Sequence, residues 1–197
     1  EKEQKEKEKE TEKEQKEKEQ PAYKRSLRIT ECVKKLKSGG MIPTEKVDAT
    51  EEEGAVVPMP MLDGHLAELD EALKKCEFLL VEGQSGIGKS TKVNQYCRAY
   101  KKKGGAVYFI TLKKNAKLFP LYECMSTVAG VEDISELWDA LEIAAKDTGM
   151  RVLVVIDDIN MAYGSPPKVP GVLGIVTSLQ TSSWQTGITK TVFVSSE

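Results

Sequence analysis

Eight consecutive residues, Gly83-Gln84-Ser85-Gly86-Ile87-Gly88-Lys89-Ser90, fit the pattern G-x-x-x-x-G-K-[ST]. Glycines at such spacing let a loop take positive φ and bring its backbone close to an anion. The amides of Gly86, Gly88, Lys89 and Ser90 then converge on phosphate oxygens, assisted by the positive end of the helix that follows. The Lys89 ammonium is placed to reach β- and γ-phosphates, and the Ser90 hydroxyl to ligate Mg²⁺. With Thr91, residues 83–91 form the expected nucleotide-binding stretch.

Chemistry on a bound phosphate also needs carboxylates opposite the loop. Val152-Leu153-Val154-Val155-Ile156 is uniformly apolar and ends in Asp157-Asp158. A buried strand of this kind carries its terminal acids to the carboxyl edge of a sheet, beside the loop. Asp157 is expected to hold Mg²⁺ and Asp158 to orient or deprotonate the attacking water. The plain alternative is a strand ending in a solvated acidic turn. Ser195 and Ser196 end another apolar run, Thr191–Val194; they either face the γ-phosphate or are ordinary strand-end polar residues. The expected catalytic set is therefore Lys89, Asp158 and Ser195, and the expected metal set Ser90 and Asp157.

These groups need a scaffold, and the flanking pattern supplies one. Phe78–Val81 reads as a strand before the loop, and Val93, Tyr96, Cys97 and Tyr100 recur at helical spacing after it. Lys101-Lys102-Lys103 and Gly104-Gly105 close that helix. Ala106–Thr111 is a second strand, 152–156 a third and 191–194 a fourth. Between them, Leu118, Phe119, Leu121, Tyr122 and Met125 read as core, with Pro120 starting a helix. Asp133 and Glu136 have capping-box spacing ahead of the stripe Ile134, Leu137, Trp138, Leu141, which Gly149 ends. Trp138 in that stripe is core and not a base-stacking platform. A weak helix is expected over Val172–Leu179. Strands alternating with helices indicate an α/β fold with a parallel sheet.

The N-terminal third differs in character. Residues 1–20 contain nine Glu and seven Lys with no apolar residue, so they read as a solvated, low-complexity arm and not a coiled coil. Beyond Pro21, Ile29, Cys32, Val33 and Leu36 mark a helix from Ser26 to Lys37 stopped by Gly39-Gly40. Lys24, Arg25, Arg28, Lys34, Lys35 and Lys37 make it basic, which reads as a solvated face ahead of a nucleic-acid contact. Residues 41–61, with Pro43, Pro58, Pro60 and Glu51-Glu52-Glu53, read as a linker; Leu62, Leu66, Leu69 and Leu73 then open a helix to Lys75. The expected organisation is an arm over 1–20, a basic helix and linker over 21–61, and the α/β domain over 62–197.

Composition narrows the function. A net charge of −2 argues against a protein that coats nucleic acid. The four cysteines are scattered and lack metal-ligand spacing, so they read as reduced thiols. His65 is the only histidine, which excludes a Ser-His-Asp site and multi-histidine metal sites. No apolar run approaches the ~20 residues of a membrane span, and a cytoplasmic or nuclear setting is expected. There is no N-K-x-D guanine-reading motif, which favours ATP over GTP.

The succession FLLV, GQSGIGKS, helix, VYFIT, LVVIDD and VFVSS resembles the AAA-type P-loop ATPases, and more closely their signal-transducing STAND relatives, across residues 62–197. That resemblance implies a three-layer P-loop NTPase with four strands in the order 1-4-3-2. It also implies ATP and Mg²⁺ as ligands, and a nucleotide-driven switch working through a protein partner or self-association. Leu62-Asp63-Gly64-His65 is similar to a segment that closes over the base, with His65 where an Arg is usual. Relatives also place an Arg after the fourth-strand polar pair, where Glu197 stands, and continue into a fifth strand beside the first, so the domain reads as incomplete. A weakly hydrolysing nucleotide-binding scaffold and a small-molecule kinase are the alternatives.

Overall fold

The computed structural model describes residues 21–43, 61–112, 121–162 and 172–195. The arm of 1–20, most of the proline-rich linker, Leu118, Phe119, Pro120 and Ser196 lie outside these residues. In chain order the helices are α1 (residues 21–38), α2 (Met61–Lys75), α3 (Lys89–Lys102), α4 (Leu121–Ala129), α5 (Ile134–Thr148) and α6 (Val172–Trp184). The strands are β1 (Phe78–Val81), β2 (Val107–Thr111), β3 (Val152–Asp157) and β4 (Thr189–Val194).

Runs of Val, Ile, Phe and Leu between glycine-bearing breakers form the strands, because branched and aromatic side chains suit a pleated, buried surface. All pairs are parallel, and the order is β1-β4-β3-β2, as expected. β3 is internal to the sheet and each of its six residues is buried. Side chains alternate between two cores, as the strand period of two requires. Val107, Phe109, Leu153, Val155, Val192 and Val194 pack with Leu73 of α2 and with Val93, Tyr96 and Cys97 of α3. On the other face, Tyr108, Ile110, Val152, Val154 and Ile156 pack with residues of α1, α4, α5 and α6. The result is three layers, helix on sheet on helix.

α1 belongs to this core. Cys32 and Leu36 are fully buried and Val33 nearly so, in the same cluster as the sheet. Its apolar stripe is the one read from the sequence, and it ends at Gly39 with φ 78°, but Pro21 is already helical. The expectation had set residues 21–61 apart from the α/β domain. Within that stretch α1 instead lies against α5, and its basic face is only partly solvated. Arg25 donates to Asp139 at 2.8 Å, Arg28 to both oxygens of Glu136 at 2.9 and 2.6 Å, and Lys37 to Asp147 at 2.8 Å. Cations on one helix meet acids on the other, which leaves them engaged within the protein.

Local signals hold elsewhere, with one exception. Asp133 caps α5 by accepting from the Glu136 amide at 3.0 Å, while the Glu136 carboxylate accepts from the Glu132 amide one residue outside the capping box. Trp138 packs against the core, and Leu121 and Met125 are fully buried. Tyr122 is 42% exposed, because its position on α4 faces away from the sheet. Among the described residues no helix is long and apolar enough to cross a membrane. Cys32, Cys76, Cys97 and Cys124 are free thiols, and burial pushes Cys32 up to about 11 and Cys97 up to about 12.

Candidate functional site

The glycine-rich loop leaves the carboxyl end of β1 and runs into α3. Gly86 and Gly88 sit at φ 84° and 86°, the left-handed region that side chains rarely adopt, and a Cβ at either would meet nothing within 4 Å. Their requirement is conformational and not a matter of space. Gly88 is the N-cap of α3, so no side chain caps the helix, and no acid lies in its first turn. The positive end of α3 is thereby left to whatever the loop encloses.

Lys89 is 6% exposed, and its Nζ donates to the carbonyls of Gly83 and Gln84, both at 2.6 Å. The loop therefore wraps its own cation. Ser90 points across to β3, where its Oγ donates to Oδ1 of Asp157 at 3.0 Å. That same oxygen accepts from the Asp158 amide at 3.0 Å. Asp157 is 6% exposed, and its carboxyl is pushed above the ordinary value of 3.8. Burial is the main cause and the adjacent Asp158 charge the next, opposed by Ser90, the Asp158 amide and Lys89. Asp158 has φ 58°, alone in this region among the described non-glycine residues, so the chain turns sharply after Asp157.

The structure thus brings Lys89, Ser90 and Asp157 to one place. Ser195 lies close by through the sheet, since its amide donates to the carbonyl of Val81, the last residue of β1, at 2.9 Å. Gln84, Ser85, Gly86, Ile87 and Thr91 are exposed around the loop. Leu62-Asp63-Gly64-His65 is helical, within α2. Sequence reading passed over Thr111, which the β2–β3 register sets directly beside Asp157. The signal available was a strand, VYFIT, whose last residue is polar.

A carboxylate and a hydroxyl side by side are hard oxygen donors, and Mg²⁺ takes few protein ligands and keeps waters, so the pair fits that ion. Among the described residues there is no cluster of three or more His, Cys, Asp or Glu. A cleft of about 380 Å³ adjoins Lys89, its wall mixing Leu69, Leu79, Val81 and Ile87 with the charged Glu68, Glu82 and Lys92. A wider one of about 640 Å³ lies elsewhere, where the strands begin.

A parallel sheet in the order β1-β4-β3-β2, with this loop between β1 and α3, defines an α/β protein of P-loop type. No family model and no curated protein matches the chain. Several solved structures are similar to it, two of them as follows. One is the Walker-type ATPase PABY2304 of Pyrococcus abyssi, with a TM-score of 0.45 and 13% identity, over 68% of this chain and 44% of that one. The other is the Aeropyrum pernix ORC2 protein in ADPNP–ADP complexes, with a TM-score of 0.45 and 15% identity, over 74% and 42%. This chain spans less than half the length of either.

Proposed function

We propose that the chain is an ATP-binding, Mg²⁺-dependent ATPase module of the AAA/STAND kind, acting as a nucleotide-driven switch. One observation carries the reading: Ser90 at the end of the glycine loop and Asp157 at the end of β3, 67 positions apart, share a 3.0 Å hydrogen bond next to buried Lys89. In this reading Lys89 leaves the Gly83 and Gln84 carbonyls to meet phosphate, and residues 83–91 enclose the phosphate chain with their amides. Ser90 and Asp157 hold Mg²⁺, which when bound offsets charge on the phosphate oxygens. Asp158 orients the attacking water, and Ser195 contacts the γ-phosphate or that water. The mixed polar and apolar cleft beside Lys89 takes the base.

Two variants test binding and hydrolysis separately. Lys89→Ala should lower Mg-ATP affinity at least tenfold, about 1.4 kcal/mol, by titration calorimetry. Asp158→Asn should leave that affinity in place and slow single-turnover hydrolysis by ~10²–10⁴, the usual worth of a positioned base. Unchanged affinity in Lys89→Ala defeats the binding reading. An inert parent that still binds defeats hydrolysis and leaves the nucleotide-binding scaffold.

A further inference from the structure

The wider cleft lies at the opposite end of the sheet from the glycine loop. It is formed where β1, β3 and β4 begin and where α2 and α3 end. Arg151 precedes β3 and Asp157 closes it; six residues at ~3.3 Å each put the two ends ~20 Å apart. Anything bound in this cleft therefore occupies ground separate from the loop.

Its walls are charged, and unevenly. Lys74, Lys103, Arg151 and Lys190 line it together with Lys75, against the two carboxylates of Asp70 and Glu77. Five cations thus face two acids, in a chain whose total is −2. Asp70 is shared, with Lys74 at 3.0 Å and Lys103 at 3.3 Å, and it also accepts from Tyr96 at 3.1 Å. Lys75 pairs outside the cleft lining, with Glu71. Arg151 is bound by one Glu77 oxygen through one of its nitrogens, so its planar five-donor fork is largely unspent. The other Glu77 oxygen is buried with no partner, so the Arg151–Glu77 pairing is not bidentate. Lys190 is half-buried, with the Leu73 carbonyl as its partner at 2.5 Å, and burial followed by Arg151 lowers its proton affinity. Positive charge crowded into a concave, partly apolar wall focuses its field on the space in front of it.

We propose that this cleft binds a compact oxyanion with two or more negative charges, a phosphate ester or an oligocarboxylate, independently of the glycine loop. Arg151 supplies the directed fork, and Lys103, just beyond α3, and Lys74 of α2 close on the anion. Lys190 contributes charge from the floor. At about 640 Å³ the cleft has the size of a small-molecule site.

The test uses the full chain carrying Lys89→Ala, which blunts the loop as a competing anion site. Amide shifts of Glu77, Arg151 and Lys190 are followed while inorganic phosphate, pyrophosphate or citrate is added at constant ionic strength. Saturable shifts at these three residues are expected, and the anion that saturates lowest separates phosphate from carboxylate as the source. Arg151→Gln should weaken that binding at least about tenfold, the loss of a charge-assisted hydrogen bond. Lys103→Gln, just beyond α3 and 57% exposed, is safe for folding and should weaken it severalfold. Shifts confined to residues 83–91, shifts that never saturate, or an unchanged affinity in either folded variant would overturn the proposal.

Discussion

Asp157→Asn should strengthen the metal-free protein and weaken its grip on Mg-ATP, and the opposed signs make it a sharp test. Asparagine has nearly the same shape, and its Oδ1 can still accept from Ser90 Oγ and from the Asp158 amide, both at 3.0 Å. What disappears is a charge that burial, and then Asp158, disfavour. Relieving such a burden is typically worth ~0.5–2 kcal/mol, or about 2–4 °C in Tm per kcal/mol for a chain of this size. The effect has a pH signature. A carboxyl whose folded pKa is raised is protonated in both states below 3.8, so there it costs nothing; its penalty grows as pH rises through the folded value. The variant's advantage should thus be full at neutral pH and vanish on approach to 3.8. With ligand the order changes, because stabilisation by Mg-ATP shrinks by about 1.4 kcal/mol for each tenfold loss in affinity. Thermal melts of parent and variant across pH, with and without Mg-ATP, measure both terms. A variant that melts lower without ligand would refute the buried-charge reasoning. Equal stabilisation of both proteins by Mg-ATP would remove Asp157 from the metal site.

Leu36→Ala should cost ~2–5 kcal/mol, as for any fully buried leucine, and chemical denaturation will read it; a loss near zero would detach α1 from the core. Glu136→Gln should lower Tm at neutral pH. Arg28, followed by the Glu132 amide, holds the Glu136 carboxyl below its ordinary 4.5, so its contribution is present above that value and lost as pH falls through the folded one. The gap between parent and variant should close in acid, and a gap independent of pH would contradict the pairing. Gly86→Ala should cost ~1–2 kcal/mol by forcing a side chain into a left-handed position with no clash to relieve; an unchanged midpoint would mean the loop relaxes elsewhere. Deleting residues 1–20, which have no apolar residue to dock, should leave Tm and ATP affinity unchanged.

Much of the scaffold was legible because its signals are local. The run Phe78–Val81 and the glycine spacing after it mark a strand, a loop and a helix within about twenty-five residues, and each signal depends only on near neighbours along the chain. The same holds for the uniformly apolar β3, the Asp133 cap and the Gly39 stop, where periodicity and left-handed backbone are properties of a short window. Strand order came from the resemblance, since no local window encodes which strands pair.

Tertiary structure alone decided which distant charges meet. Composition set the basic helix apart from the domain, because a proline-rich linker follows it and its cations look solvated. Its partners, Glu136, Asp139 and Asp147, lie more than a hundred positions further on, and only the packing of α1 beside α5 turns two charge patterns into one set of pairs. The cationic cleft has the same origin. Lys74, Lys103, Arg151 and Lys190 stand apart in the chain, each an unremarkable cation in its own segment. They share one wall because parallel strands all begin at the same edge of the sheet, where the helices returning from its other edge must end.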